Sequence, residues 1–414
     1  MKVTKETFPK EWDPLLLSEL VEKAEITLDR GEVISSIMMA SNPGNYPVYS
    51  SSAKNNGLMG FWGNYQIDEE LITWSVDGGG YLFYRPKHKF SVTNVCGMLR
   101  ANKDKFNIRY LHYLLEWQHS LMTFDYVDKA HPSVIRKRYL IPKIGKAEQD
   151  SIATILSTLD RAIASTEQLI AKYQRIKTGL LHDLLTRGID EHGNLRSEKT
   201  HKFKDSKLGR IPVEWECKKI GSLIAYLGSG ITPRGGSKIY KKEGILLIRS
   251  QNVYPGYFEL DDVAFIDEEI NNTMLRSEIF EYDVLLNITG ASIGRCVYVP
   301  EGFYKANVNQ HVCAIRLQNK TENKASFLQA FLNSIYGQNQ IIRFNAGGNR
   351  EGLNYSQIKA MELPWPNNEQ EFERIRIIIE KADKYLNANQ NNLTKLQYLK
   401  AGLMQDLLSG KVRI

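Results

Sequence analysis

Residues Lys146–Arg187 read KAEQDSIATILSTLDRAIASTEQLIAKYQRIKTGLLHDLLTR, and 223 residues further on Glu369–Gly410 read EQEFERIRIIIEKADKYLNANQNNLTKLQYLKAGLMQDLLSG. Across Glu148–Leu185, 12 of 38 positions are identical in the two copies without a gap, among them Glu148/Glu371, Asp160/Asp383 and Lys177/Lys400. The periodicity says more. Ile152, Leu156, Leu159, Ile163, Thr166, Ile170, Tyr173, Lys177, Leu180 and Leu184 alternate spacings of four and three, the a/d stripe of a helix built to pack on another helix. The second copy gives Ile375, Ile379, Ala382, Leu386, Asn389, Leu393, Leu396, Lys400, Leu403 and Leu407. The polar breaks coincide, Thr166 with Asn389 and Lys177 with Lys400. A polar a or d residue costs stability but fixes register and partner. Shared breaks therefore predict that the two helices are each other's partner, along a seam of roughly 50 Å at about 1.5 Å per residue.

Working outward, Phe8–Trp12 (FPKEW) repeats as Ile211–Trp215 (IPVEW) at an offset of 203, so whatever precedes each helix also begins alike. Each globular part is mixed. In the first, Tyr46–Ser50, Leu71–Val76 and Tyr81–Tyr84 read as strands, the last two joined at Gly78-Gly79-Gly80, and Phe106–Trp117 has helical spacing. In the second, Leu246–Arg249, Asp283–Asn287 and Arg295–Val299 read as strands, and Glu269–Ser277 and Ser326–Gln338 as helices. Gly188–Arg210 is polar without an apolar period and reads as a linker.

The expected fold is therefore α+β. Two mixed α/β domains are separated by two long antiparallel coiled-coil spacer helices in a pseudo-twofold arrangement. The divisions are 1–145 (first domain), 146–188 (central helix), 189–210 (linker), 211–366 (second domain) and 367–414 (distal helix).

Composition narrows the function. The chain of 414 residues carries a net charge of +7, which permits a nucleic-acid partner without demanding one. Cys96, Cys217, Cys296 and Cys313 show no metal-ligand spacing and read as buried, reduced thiols. Met1–Lys10 has no apolar signal segment, and no apolar run approaches a membrane span, so a cytoplasmic protein is expected. The chain lacks a GxxxxGK[ST] phosphate loop, a GxGxxG dinucleotide turn and any Pro-Pro dipeptide of the kind found in amino-methyltransferases. The triplets Glu322-Asn323-Lys324 and Asp205-Ser206-Lys207 lack the upstream Pro-Asp of a nuclease centre. Binding is favoured over catalysis, with no catalytic residue, cofactor site or metal site expected.

Polar loops supply the binding candidates, because Arg, Asn and Gln pair with purine edges while Ser, Thr and backbone amides hold phosphates. In the second domain these are Thr232, Arg234, Arg249, Gln251, Asn252, Asn287, Thr289, Ser292, Arg295, Asn309, Gln310, His311, Asn349 and Arg350. In the first they are Lys54, Asn55, Asn56, Lys129, His131 and Arg136. Two divergent readers on two similar helices suit a duplex target with two different half-sites held at a fixed separation.

These residues resemble the specificity subunit of type I restriction-modification systems. The resemblance covers nearly the whole chain. It is carried by Ile-Pro…Glu148-Gln149…Ile152 and Leu363-Pro364-Trp365-Pro366…Ile375, each followed by a helix ending in Lys-x-Gly-Leu-x-x-Asp-Leu-Leu. Ile248-Arg249…Asn252-Val253, Gly290-Ala291-Ser292-Ile293-Gly294-Arg295, Asn309-Gln310-His311 and Gly347-Gly348-Asn349-Arg350 add to it, as does Pro47–Ser52 in the first domain. The chain departs from the pattern at Lys129-Ala130-His131-Pro132. The resemblance implies a non-catalytic subunit that reads double-stranded DNA. It implies two methylation subunits binding S-adenosylmethionine, and restriction subunits using ATP and magnesium. The alternatives are a methylation-only system and a stand-alone nuclease.

Overall fold

A computed structural model describes residues 3–77, 79–122, 130–233, 235–345 and 352–414. The chain forms two compact units. Unit 1 comprises Met1–Leu169 and Asn389–Ile414, and unit 2 comprises Ile170–Ala388. The division runs through two long helices, α2 (Lys146–Thr186) and α5 (Glu369–Leu408), so each unit holds the beginning of one and the end of the other.

The two units share one topology. In unit 1, strands β1 (Ile26–Arg30), β2 (Tyr46–Tyr49), β3 (Leu58–Trp62), β4 (Ile67–Asp68), β5 (Leu71–Ser75), β6 (Leu82–Arg85), β7 (Lys89–Val92) and β8 (Cys96–Ala101) form two four-stranded sheets, ordered β1-β8-β5-β6 and β3-β2-β7-β4. In unit 2, β9 (Ile224–Ser229), β10 (Ile245–Ile248), β11 (Ala264–Ile266), β12 (Glu278–Ile279), β13 (Val284–Asn287), β14 (Cys296–Tyr298), β15 (Ala306–Val308) and β16 (Val312–Leu317) form the sheets β9-β16-β13-β14 and β11-β10-β15-β12. Each strand in one unit has its counterpart eight places on in the other. Even the lone parallel pairing among these sheets recurs, β2 with β7 and β10 with β15. The sequence reading expected a duplicated unit, identifiable in the helices and at the start of each globular part. The structure adds that the diverged globular parts share one strand order.

Shared local devices explain why different sequences reach this fold. Gly31 and Gly230 each pass so close to the end of the parallel strand that a Cβ would lie 2.0 Å from the Val92 carbonyl oxygen and 1.6 Å from that of Val308. Only glycine tolerates that approach. A buried glutamine then clamps the strand leading into each long helix. Gln118 donates to the Leu140 carbonyl at 2.7 Å and accepts from its N–H at 3.0 Å. Gln340 does the same to Glu362 at 2.8 and 2.9 Å. Both ends of one side-chain amide thus satisfy one backbone unit that would otherwise be buried without partners.

Gln118 lies on α1 (Ile108–Ser120), which Asn107 caps through its side chain and which buries Ile108, Leu111, Leu114 and Leu115 against the sheet β1-β8-β5-β6. In unit 2 the helical stretch expected over Ser326–Gln338 is two helices, α3 (Glu322–Asn333) and α4 (Ile335–Asn345), broken where Ser334 turns extended (ψ 166°). The helix expected over Glu269–Ser277 is likewise interrupted, as Glu268–Asn272 followed by a 3-10 turn at Leu275–Ser277.

Within unit 1 the start of α2 and the end of α5 run antiparallel. Lys400 pairs with Asp160 at 2.7 Å, and further out Arg413 pairs with Glu148 at 2.7 Å. Within unit 2 the other halves do likewise. Lys177 pairs with Asp383, and the rings of Tyr173 and Tyr385 stack at 6.1 Å. The polar break Lys177/Lys400 is therefore satisfied in both units by the same aspartate of the repeat, Asp383 or Asp160. None of the twenty seam positions is exposed.

The segment read as a linker is folded instead. Arg196 reaches back to Glu371, and Phe203–Ser206 pairs with Gly209–Pro212 as a hairpin. It lacks an apolar period because charge and backbone pairing, rather than a buried stripe, hold it. Cys96, Cys296 and Cys313 are buried, but Cys217 is exposed, contrary to expectation, on the outer side of a two-stranded pairing with Glu362–Trp365. Burial pushes the Cys96 thiol up to about 11 and that of Cys313 up to about 12.

Candidate nucleic-acid interface

Strand direction gathers the candidate residues of unit 2 at one end of both sheets. There β9, β10, β13 and β15 end and β14 and β16 begin. Ser229–Thr232, Arg249–Asn252, Ile288–Arg295 and Asn309–His311 are the connections at that end. Gly352 joins them through a bridge to Thr289, and Tyr355 accepts from the Ser229 N–H at 2.7 Å.

Within this end the candidates divide into two kinds. Asn252 and Asn287 are fully buried. Asn252 donates to the carbonyls of Glu259 and Asp262 at 2.9 and 2.7 Å, and Asn287 to that of Ser250 at 2.8 Å. They shape loops and do not present a side chain to a ligand. Arg249 and Gln251 converge on Asp262, at 3.3 and 2.7 Å, so a carboxylate that the sequence reading did not select fixes both. Arg295 lies over the Tyr254 ring at 4.6 Å, and Tyr254 stacks on Tyr257 at 5.1 Å. Ser292 closes the 3-10 turn Gly290–Ser292.

The remaining candidates form one string. Thr232 donates to Gln310 Oε1, Gln310 Nε2 lies 2.8 Å from His311 Nε2, and His311 Nδ1 lies 2.5 Å from Thr289 Oγ1. Asn309 is nearly buried and accepts from the His311 N–H at 3.1 Å, fixing the turn that carries the string. Arg234, Asn349 and Arg350 lie outside the described residues.

Unit 1 presents the equivalent end with different residues. Lys54, Asn55 and Asn56 occupy the loop after β2, where Asn55, Asn56 and Gly57 all have positive φ (49, 54 and 78°). All three candidates are exposed. Beneath them Arg85, 1% exposed, donates to the Asn56 carbonyl at 2.8 Å and to Thr73 Oγ1 at 3.0 Å, with its guanidinium 3.6 Å from the Tyr49 ring centre. Burial lowers its pKa to about 10, so it stays charged at neutral pH. Arg85 supports this loop as Asn287 supports its counterpart in unit 2. His131 caps the short helix Pro132–Ile135 through its side chain, and Arg136 follows that helix, exposed. The Ala130 N–H donates to the Val76 carbonyl at 2.9 Å, which brings His131 to this end. Lys129 lies outside the described residues.

The topological match also picks out Asn94, which follows β7 as Gln310 follows β15. It was missed because the two turns share no sequence, and only strand equivalence identifies it.

Comparison with known proteins agrees with this architecture. A family profile described as Type I restriction modification DNA specificity domain matches residues 9–175 and again 212–397. The specificity subunit of the type I restriction enzyme MjaVIII of Methanocaldococcus jannaschii is 23% identical over 429 aligned positions, covering 98% of this chain and 94% of the relative. A Mycoplasma pneumoniae sequence assigned as a type I specificity subunit N-terminus is 37% identical over 138 residues, 32% of this chain and 71% of its own. In fold, the chain is similar to the crystal structure of a type I restriction-modification S subunit from M. genitalium, with a TM-score of 0.64 at 16% identity over 98% of both chains.

Proposed function

The chain belongs to the type I restriction-modification DNA specificity family, and from that premise we propose that it reads a bipartite DNA target. Each recognition unit takes one half-site through the loop end of its sheets, and the paired helices set the gap. The observation that carries this reading is the contrast between constant topology and variable loop residues. The strand frame repeats strand for strand, while the corresponding loop ends hold Thr232, Gln310 and His311 in one unit and Val33, Asn94 and Val95 in the other. A frame repeated to hold different side chains suits two different half-sites, since base contacts specify and phosphate contacts position.

In this reading the chain itself does no chemistry. Methylation subunits bring S-adenosylmethionine and methylate adenine, and restriction subunits use ATP and magnesium to cut. The helices give them a shared platform and hold the readers at a fixed separation.

The test is a map of methylated adenine in cells expressing this chain with the methylation subunit of its operon. The expected result is a split motif with a constant gap that disappears when this chain is omitted. Inserting four residues into both α2 and α5 adds about 6 Å to each, roughly two base-pair steps. The gap should lengthen while both half-sites stay the same. A change in the half-sites themselves would contradict the spacer role.

A further inference from the structure

We propose that Gln310 reads an adenine in the half-site taken by unit 2, with its amide held in place at both ends by Thr232 and His311. This rests on the reading of the loop ends as DNA-contacting surfaces and goes beyond it in naming the residue and the base it reads.

The argument begins with what each group can donate. A glutamine amide nitrogen only donates, so the His311 Nε2 atom 2.8 Å away accepts, through its lone pair. With the amide so placed, His311 Nδ1 donates to Thr289 Oγ1 at 2.5 Å. At the other end of the amide, Oε1 accepts from the Thr232 hydroxyl. Exchanging the amide nitrogen and oxygen would reverse the imidazole tautomer and the two hydroxyls together, so in either polarity the string engages each end of the amide once and holds its plane.

A carboxamide has two N–H groups and two lone pairs. The string engages one of each and leaves one donor and one acceptor. The residue is exposed at the tip of the turn after β15, with both free groups on the same amide plane. In the major groove adenine offers N6–H as donor beside N7 as acceptor. Guanine offers two acceptors, cytosine a donor, and thymine an acceptor beside a methyl group. Adenine alone matches both remaining groups.

The turn is stiff enough to make that match selective. The Gly230 backbone lies against Val308, the Asn309 N–H donates to the Ile248 carbonyl at 3.1 Å, and the Asn309 side chain holds the His311 N–H. A preorganised bidentate donor–acceptor pair loses little freedom on binding.

The experiment uses the complex of this chain with its methylation subunits. Methylated-adenine maps and competition binding against duplexes substituted at every half-site position are compared for the wild type, Gln310→Ala, Gln310→Glu and Thr232→Val. The wild type should prefer A·T by about tenfold or more at one position of one half-site, the order expected of a bidentate contact. Gln310→Ala should abolish that preference. Gln310→Glu, which can only accept, should move it toward C·G. Thr232→Val, which keeps the amide but frees one end, should weaken it at the same position. The other half-site and the gap should be unchanged, which also shows that the variants fold.

The assignment is overturned if all variants keep the wild-type preference. It is equally overturned if the altered position is G·C, or if affinity falls equally for all sequences, as for a phosphate contact. A wild-type complex giving no split motif would sink the wider reading. An intact split motif with unaltered base preferences would sink the adenine assignment alone.

Discussion

At the scale of single residues, a few buried polar groups decide what can vary. Glu371 is 2% exposed and receives Arg196, the Trp215 indole N–H at 3.0 Å and the Ile189 N–H at 2.9 Å. Removing a carboxylate with that many donors leaves a buried guanidinium unpaired. Glu371→Ala should destabilise unit 2 by about 3–5 kcal/mol in chemical denaturation. The repeat-equivalent Glu148→Ala in unit 1 should cost less, because its partner Arg413 is half exposed.

Two histidines should make unit 1 sensitive to acid. Burial holds His112 below its ordinary 6.5, between the rings of Tyr84 and Tyr113, and burial also lowers His119. A folded-state pKa below the unfolded value means that the unfolded chain binds the proton first. The contribution is therefore present above about pH 6.5 and lost as pH falls through the folded pKa. The melting temperature of the wild type should drop between about pH 7 and pH 5 by more than that of His112→Gln. Equal slopes would mean that His112 does not contribute.

At the scale of elements, the long helices are specified by register more than by apolar content. Lys177 and Lys400 interrupt the apolar stripe, yet each meets the aspartate of the partner helix, Asp383 or Asp160. These pairs are partly exposed, so each contributes no more than about 1 kcal/mol directly. Their larger effect is against wrong registers, where a lysine would face apolar side chains. Lys177→Asp should lower the stability of unit 2, and adding Asp383→Lys should recover at least half of the loss in a double-mutant cycle. A double variant no better than the sum of the singles would show that the two residues are not coupled.

At the scale of the whole molecule, the same fold appears twice with different loop ends, while the segments entering and leaving the helices keep their chemistry. Trp12 and Trp215 are both buried, and each is linked to a helix-start glutamate, directly in one unit and through an arginine in the other. The Trp215 indole bonds to Glu371, while Trp12 lies under Arg413, which pairs with Glu148. Each recognition domain therefore meets its helices through a common joint. Replacing residues 211–366 with the corresponding domain of another family member should change one half-site of the methylation motif and leave the other half-site and the gap as they were. A change in both half-sites would show that the readers are not independent.

How much of this was legible in the sequence depends on range. The helices were, because an a/d stripe is a local periodicity and a repeat at constant offset needs no knowledge of contacts. The α2 and α5 pairing, the shared polar breaks at Lys177 and Lys400, and the mixed character of the domains all follow from residue spacing and family resemblance. The equivalence of the two sheets was not legible. Strand order depends on which distant segments pair, and loops of unequal length and sequence hide it. For the same reason the candidate list could not separate Asn252 and Asn287, buried beneath their loops, from Gln310 at a tip, since all are polar residues beside turns. Nor could it find Asp262, Arg85 or Asn94, whose roles exist only once strands far apart in sequence end side by side. The sequence by itself determined the helical spacer and the doubling of the chain, because those are written in short-range periodicity. Only the tertiary structure decided which polar side chains face outward, because that is set by long-range strand pairing and by which hydrogen bonds the buried backbone has already claimed.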